Sequence, residues 1–245
     1  IGRGALSTED TGYGSVAVGT YALEDQDAGN AYNTAVGHES GRDITSGLYT
    51  TLIGAYSGDA LTTASGNTAI GYQALSTEDT GGRNVAVGYQ TLLNQNVDSY
   101  AYNIAVGYSA GKEITTGTQN TIIGGLAGDA LTTGMNNVAI GYSALGAEDA
   151  SSCNVAIGAH TLEDQDSSTG TAYNTAVGHA AGRDITTGYE NTFIGGLAGD
   201  ALTTGLGNTA LGAKALSTDT TGRYSVAIGH GALENQAFTG NQEAY

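Results

Sequence analysis

The first residues in this chain that could do chemistry are the acidic pairs Glu9-Asp10, Glu24-Asp25, Glu78-Asp79, Glu148-Asp149 and Glu163-Asp164. Paired carboxylates can act as general acid and base, or ligate a hard cation. Catalysis needs a unique constellation, however, and these pairs recur at regular intervals in turn-like sequence, which reads as a solvated structural role. Neither a Gly-Gly-x-Gly-x-Asp nonapeptide nor an EF-hand loop is present to hold calcium. His38, His179 and His230 each follow an equivalent glycine, and His160 lies one place further on. Four histidines scattered in this way do not make a metal site. Cys153 is the one cysteine; it has no internal disulfide partner and no catalytic partner nearby, and it excludes a multi-cysteine zinc site. The glycines are spaced for corners, not for a strand–loop–helix unit that cradles phosphate. No catalytic, cofactor-binding or metal-binding residue is assigned, and the chain reads as a non-enzyme.

Tyrosine offers more. Tyr72, Tyr89 and Tyr108 occupy one column of the repeat described below, and Tyr32, Tyr102 and Tyr173 mark its longer loops. Exposed rings can stack on sugars, so the column Tyr72, Tyr89, Tyr108 is a candidate ligand surface. The competing reading is that these rings pack on neighbouring loops or subunits.

Positioning these residues falls to a repeat. Asn, then Thr or Val, then Ala, then Val or Ile, then Gly recurs along the chain, as in Asn67–Gly71, Asn84–Gly88 and Asn137–Gly141. The closing glycines, from Gly2 to Gly229, follow one another at 17 residues, as from Gly54 to Gly71, with three exceptions. The exceptions fall near Ala28–Ala31, Val97–Ala101 and Ser167–Ala172, one in every fourth coil, so a cassette of four coils is superimposed on the coil repeat. A unit this short cannot bury a core by itself and must stack on copies of itself. The motif alternates with period two, which selects strand over helix. The fold expected is all-β: a parallel β-solenoid of about fourteen coils, forming one continuous array over residues 1–245. The chain opens within a motif and carries no capping sequence, and the array is expected to continue in both directions.

Composition sets limits on partners. The 245 residues include 40 Gly and no Pro, and 24 acidic against 7 basic residues give a net charge of −17. No basic patch is available to neutralise phosphates, so charge argues against nucleic acid and an anionic membrane surface as partners. No apolar run reaches transmembrane length.

Counting from the motif asparagine, position three is always branched and apolar (Val18, Val36, Ile53 and onward to Ile228) and is expected to line the interior, with position one beside it. Position two then faces outward. It reads Ala17, Ala35, Leu52, Ala69, Ala86, Ala105, Ile122, Ala139, Ala156, Ala176, Phe193, Ala210 and Ala227. An unbroken apolar stripe on an outer face calls for burial against another chain, and a symmetric homo-oligomer is the natural solution. The alternative is that this column is a second internal face. Glu24, Arg42 and Asp59 lie on consecutive coils and recur as Glu163, Arg183 and Asp200, so acid and base are expected to stack coil on coil and fix register. The motif asparagines are expected to form a stacked ladder.

The motif, seen as Ser15-Val-Ala-Val-Gly19 and Ser225-Val-Ala-Ile-Gly229, resembles the head repeats of trimeric autotransporter adhesins. The phrase Gly66-Asn-Thr-Ala-Ile-Gly-Tyr-Gln-Ala-Leu75 is similar to repeats in phage tail-fibre proteins and large surface proteins. The resemblance implies a left-handed β-roll, a homotrimer, and an extracellular, cell-surface or virion location. It departs from the adhesin heads in coil length, theirs being shorter. Three functions follow as expectations: a structural fibre for attachment, whose partners are copies of itself and a host-surface or glycan receptor; a glycan-binding module using the tyrosines; and an ice-binding solenoid drawing on Thr-rich coils such as Leu131–Gly134.

Overall fold

A computed structural model describes residues 1–9, 12–147, 150–166 and 170–235. Asp10, Glu148 and Asp149 of the acidic pairs, residues 167–169 of the third long loop, and Tyr245 lie outside the described residues. The described chain is an all-β parallel solenoid of about 12 turns and 13 strands, with no helix. It falls into two compact units, Ile1–Gln119 and Asn120–Tyr245. The first holds β1 (Val16–Val18), β2 (Thr34–Val36), β3 (Thr51–Ile53), β4 (Thr68–Ile70), β5 (Val85–Val87) and β6 (Ile104–Val106). The second holds β7 (Thr121–Ile123), β8 (Val138–Ile140), β9 (Val155–Ile157), β10 (Thr175–Val177), β11 (Thr192–Ile194), β12 (Thr209–Leu211) and β13 (Val226–Ile228). The expected count of about fourteen coils is thus corrected to about 12 turns among the described residues.

Within each unit every strand pairs in parallel with the next, motif position against motif position. Val16 lies opposite Thr34, Ala17 opposite Ala35, and Phe193 opposite Ala210. Three side-chain-level features hold this register. The motif glycine turns the corner: Gly19 has φ 141°, and a Cβ there would lie 2.1 Å from the carbonyl oxygen of Gly37. Only glycine allows coils to approach this closely at that corner. The motif asparagine is fully buried and binds the next coil. Asn67 Oδ1 accepts from the backbone N–H of Asn84 (2.9 Å), while Asn67 Nδ2 donates to the Gly81 carbonyl (2.9 Å). Asn120, Asn137, Asn154, Asn174, Asn191 and Asn208 continue the same pattern through the second unit. The expected ladder is present, built from side chain to backbone. Threonine hydroxyls add a second seam: Thr45 donates to the Thr62 carbonyl (3.3 Å), Thr62 to that of Asp79 (3.1 Å), and Thr203 to that of Thr220 (3.0 Å).

The two faces of the strands are the reverse of the sequence expectation. Position two points inward. Ala35, Leu52, Ala69, Ala86, Ala105, Ile122, Ala139, Ala156, Ala176, Phe193 and Ala210 are 0% exposed, and Ala17 and Ala227 are nearly so. This column is the coil interior and presents no outer stripe to a partner chain. Positions one and three point outward. The physical reason is the narrowness of the coil. Its interior already receives a small residue three places past the motif glycine (Ala22, Ser40, Ser57, Ala74), then Leu or Gly (Leu23, Gly41, Gly58, Leu75), then Ile, Leu or a polar group (Gln26, Ile44, Leu61, Glu78). Only alanine fits beside leucine in that space.

Where position two is large, the neighbouring leucine is glycine. A Cβ on Gly41 would lie 2.6 Å from Leu52 Cδ1, and one on Gly58 2.9 Å from Leu52 Cδ2. Phe193 occupies the same space against Gly182 and Gly199 (2.7 and 2.6 Å), and Ile122 against Gly128 (3.0 Å). The four-coil cassette is thus a packing unit, in which one large inward residue alternates with leucines so that volume stays constant.

Candidate functional site

The outward face of the strands is the largest feature with a functional implication. In the first unit its two columns read Val16, Thr34, Thr51, Thr68, Val85, Ile104 and Val18, Val36, Ile53, Ile70, Val87, Val106. In the second they read Thr121, Val138, Val155, Thr175, Thr192, Thr209, Val226 and Ile123, Ile140, Ile157, Val177, Ile194, Leu211, Ile228. Neither column contains a charged residue. Ile53, Ile104, Ile194 and Leu211 are 39–44% exposed, and the terminal residues Val16, Val226 and Ile228 more so. Six three-residue strands present a flat apolar strip of about 300 Å² at ordinary strand spacing, the size of the largest patch on a typical monomer. Parallel sheets are normally covered on both faces, and here the outer face is bare.

Next to this strip runs an aromatic ladder. Tyr72 and Tyr89 stack with centroids 5.5 Å apart, and Tyr89 and Tyr108 at 5.3 Å with planes 5° apart. Tyr56 meets Tyr72 edge to face, and His38 meets Tyr56 likewise. The column foreseen from the sequence is therefore brought together, but its rings cover one another's faces. A sugar stacks on a ring face, so Tyr89, with a ring on each side, offers only an edge. In the second unit Tyr142, His160 and His179 continue the theme edge to face, with His160 Nδ1 2.9 Å from Glu163 Oε1. These histidines serve packing, and no group of three or more metal-ligating side chains occurs among the described residues. Cys153 is partly buried, just before a motif asparagine.

The charges pair differently from the expectation. Arg42 binds its own coil, donating Nε to Asp43 Oδ1 at 2.6 Å and Nη1 to Glu39. Arg183 does the same with Asp184 at 2.6 Å. A guanidinium reaches a neighbour in sequence at less entropic cost than one in the next coil. Glu24 and Asp59 are left without a direct bond to Arg42. Burial pushes Asp59 up to about 6 against the pull of Arg42, and burial likewise raises Asp200. Asp164 is raised by burial and by Asp184.

The acidic pair Glu78-Asp79, expected from the sequence to be solvated, instead contains a buried carboxylate, Glu78, whose place recurs with the cassette. Glu9, Glu78 and Asp219 occupy equivalent places in their coils. Glu78 is 0% exposed and accepts from the Gly81 N–H (2.6 Å) and from Gln95 Nε2 (2.9 Å). Gln95 Oε1 in turn accepts from Asn103 Nδ2 (2.7 Å). Glu9, Gln26 and Asn33 repeat the relay. Burial raises Glu78 above the usual carboxylate range. The relay ties successive coils together. The Glu/Gln alternation at a fixed place in consecutive coils was the sequence signal.

No protein family, curated protein or solved structure matches this chain. No described helix is long and apolar enough to cross a membrane.

Proposed function

We propose that the protein is a structural fibre whose copies associate side by side through the outward face of positions one and three, as an extracellular attachment rod of a virion or cell surface. The observation that carries this is the bare parallel sheet: two columns of Val, Ile, Leu and Thr, free of charge, on a chain of net charge −17. Elsewhere like charges oppose approach, and here they do not. The strip repeats at the coil spacing of roughly 4.8 Å. A partner must match that period over many coils to cover it, and another copy of the same chain does so without further specification. Three narrow strips closing around a common axis would each be buried against two neighbours, which favours a homotrimer. No enzymatic role is proposed.

Two observations lead us to prefer the fibre reading to glycan binding by the Tyr72 column and to ice binding by the Thr-rich turns. Both faces of the Tyr89 ring are covered by Tyr72 and Tyr108, and the hydroxyls of Thr62, Thr186 and Thr203 donate to the neighbouring coil. Sedimentation of the purified chain tests the fibre reading. A particle of about three times 24.5 kDa is expected, and a monomer at micromolar concentration would overturn it.

A further inference from the structure

A second ladder in the first unit lacks a rung. It is built by the residue just before the first position of each motif, which is Asn33, Thr50, Asn67 and Asn84 in these coils. Tyr32 and Tyr49 are stacked rungs, with centroids 5.9 Å apart and planes 5° apart. The next position is Gly66 and the one after is Arg83. The space at Gly66 is open: a Cβ there would meet nothing nearer than Arg83 Cγ at 3.6 Å. Other glycines of this column differ. At Gly14 the ring of Tyr32 comes within 2.6 Å of such a Cβ, and at Gly207 that of Tyr224 comes within 2.7 Å. There the following tyrosine folds over the glycine and fills the space.

The walls of the slot are set by the fold. Tyr32 covers one face of Tyr49 and leaves the other toward Gly66; Tyr49 is 63% exposed. On the far side stands Arg83. Its guanidinium lies 4.0 Å from the centroid of Tyr100 and donates to the Tyr102 hydroxyl at 2.6 Å. Tyr100 belongs to the long loop of its cassette. It is pinned by a bridge to Gly82, whose missing Cβ leaves room for the ring at 3.1 Å. The resulting cleft measures about 320 Å³ and is lined by Leu48, Tyr49, Ser65, Gly66, Arg83 and Tyr100. A second cleft, also about 320 Å³, shares Ser65 and Tyr100 and adds Thr63, Thr80, Asp98 and Ser99. The Thr80 hydroxyl is buried without a hydrogen-bond partner.

Two coils separate Tyr49 from Arg83, so the walls stand roughly 9–10 Å apart. One six-membered ring at the level of Gly66 would sit about 4.8 Å from each, within the range of ring contacts. The rim supplies what a polyol needs beyond a ring face: a guanidinium, a carboxylate and several hydroxyls at fixed positions. We propose that the Gly66 slot binds a neutral pyranose residue of a glycan, the next sugar running past Ser65 and Tyr100 toward Asp98. The chain's net charge and Asp98 select against anionic sugars. The site is local to this cassette, since the residues matching Gly66 and Arg83 one cassette on are Asn136 and Cys153. The proposal goes beyond the fibre reading and does not depend on self-association.

The test is an array of neutral gluco-, galacto- and manno-oligosaccharides probed with the whole chain, followed by titration of any hit. Gly66→Tyr supplies the missing rung. The column accepts tyrosine at positive φ, as Tyr32, Tyr49 and Tyr102 show (53°, 59° and 54°), so the variant should keep its melting temperature. Binding should fall at least about tenfold in Gly66→Tyr and in Tyr49→Ala, the loss of roughly one ring contact. It should persist in a Tyr72→Ala, Tyr89→Ala, Tyr108→Ala triple variant. Failure of the unaltered chain to bind any neutral pyranose would overturn the proposal. So would undiminished binding by Gly66→Tyr and Tyr49→Ala, or loss confined to the triple variant.

Discussion

Phe193→Ala removes the largest side chain of the interior, and the structure gives the size of the effect. The ring is fully buried and fills the space left by two glycines, Gly182 and Gly199. At ~25 cal/mol per Å² and the 150–200 Å² that a phenylalanine buries, the transfer loss is about 4–5 kcal/mol, in line with measured Phe→Ala costs of about 3–5 kcal/mol. Backbone hydrogen bonds on both sides hold the coil open, so little collapse is expected to recover that loss. Gly199→Leu, made alone, would drive a side chain into a ring 2.6 Å from its Cβ and should cost at least about 1–3 kcal/mol. The two together recreate the pairing of small position two with leucine seen at Ala69 and Leu75, where leucine is already accommodated at φ 55°. The double variant should therefore be more stable than the sum of the single changes predicts, by about 1–3 kcal/mol. Chemical denaturation followed by circular dichroism measures all three. Additive losses, or a Phe193→Ala cost below about 1 kcal/mol, would refute the inward packing of this column.

Three further outcomes are expected. Stability should rise on mild acidification: the folded-state pKa of Asp59 is raised from 3.8 to about 6, so its contribution is complete below the ordinary aspartate value and is lost as pH rises through 6. Glu78, Asp164 and Asp200 are raised as well. A melting temperature that falls between pH 7.5 and 5.5 would contradict this, and Asp59→Asn should flatten the slope. Asn191→Ala strips partners from the Asn208 N–H and the Gly205 carbonyl, both inside the coil. It should cost about 2 kcal/mol or more by denaturation, and a neutral result would remove the asparagine ladder from the account.

Much of the fold was legible in the sequence because a repeat constrains every coil at once. The 17-residue period, the strand at the motif, the glycine corner and the asparagine ladder follow from columns that stack only in one register. The facing of the strands was not read correctly, since alternation gives the period but not its phase, and a shift of one residue exchanges the faces. The resolving signal lay six residues downstream. Leu52, Ile122 and Phe193 are each followed at that distance by glycine (Gly58, Gly128, Gly199), and the coil before each also has glycine there (Gly41, Gly111, Gly182), where Ala69 is followed by Leu75. Such compensation of volume arises between side chains sharing one interior. The tyrosine column was found, but stacking geometry, not composition, decides whether ring faces are available. The Gly66 slot depends on which neighbouring side chain folds over a missing one, and the motif does not encode that.

The proposed assembly follows from one assignment of faces: position two inside, positions one and three outside and open to further copies. Sedimentation of Val87→Lys beside the unaltered chain tests this most directly. The account predicts an assembly of several 24.5 kDa chains for the unaltered protein, and folded monomers for Val87→Lys. An assembly unchanged by lysine at Val87 would contradict it.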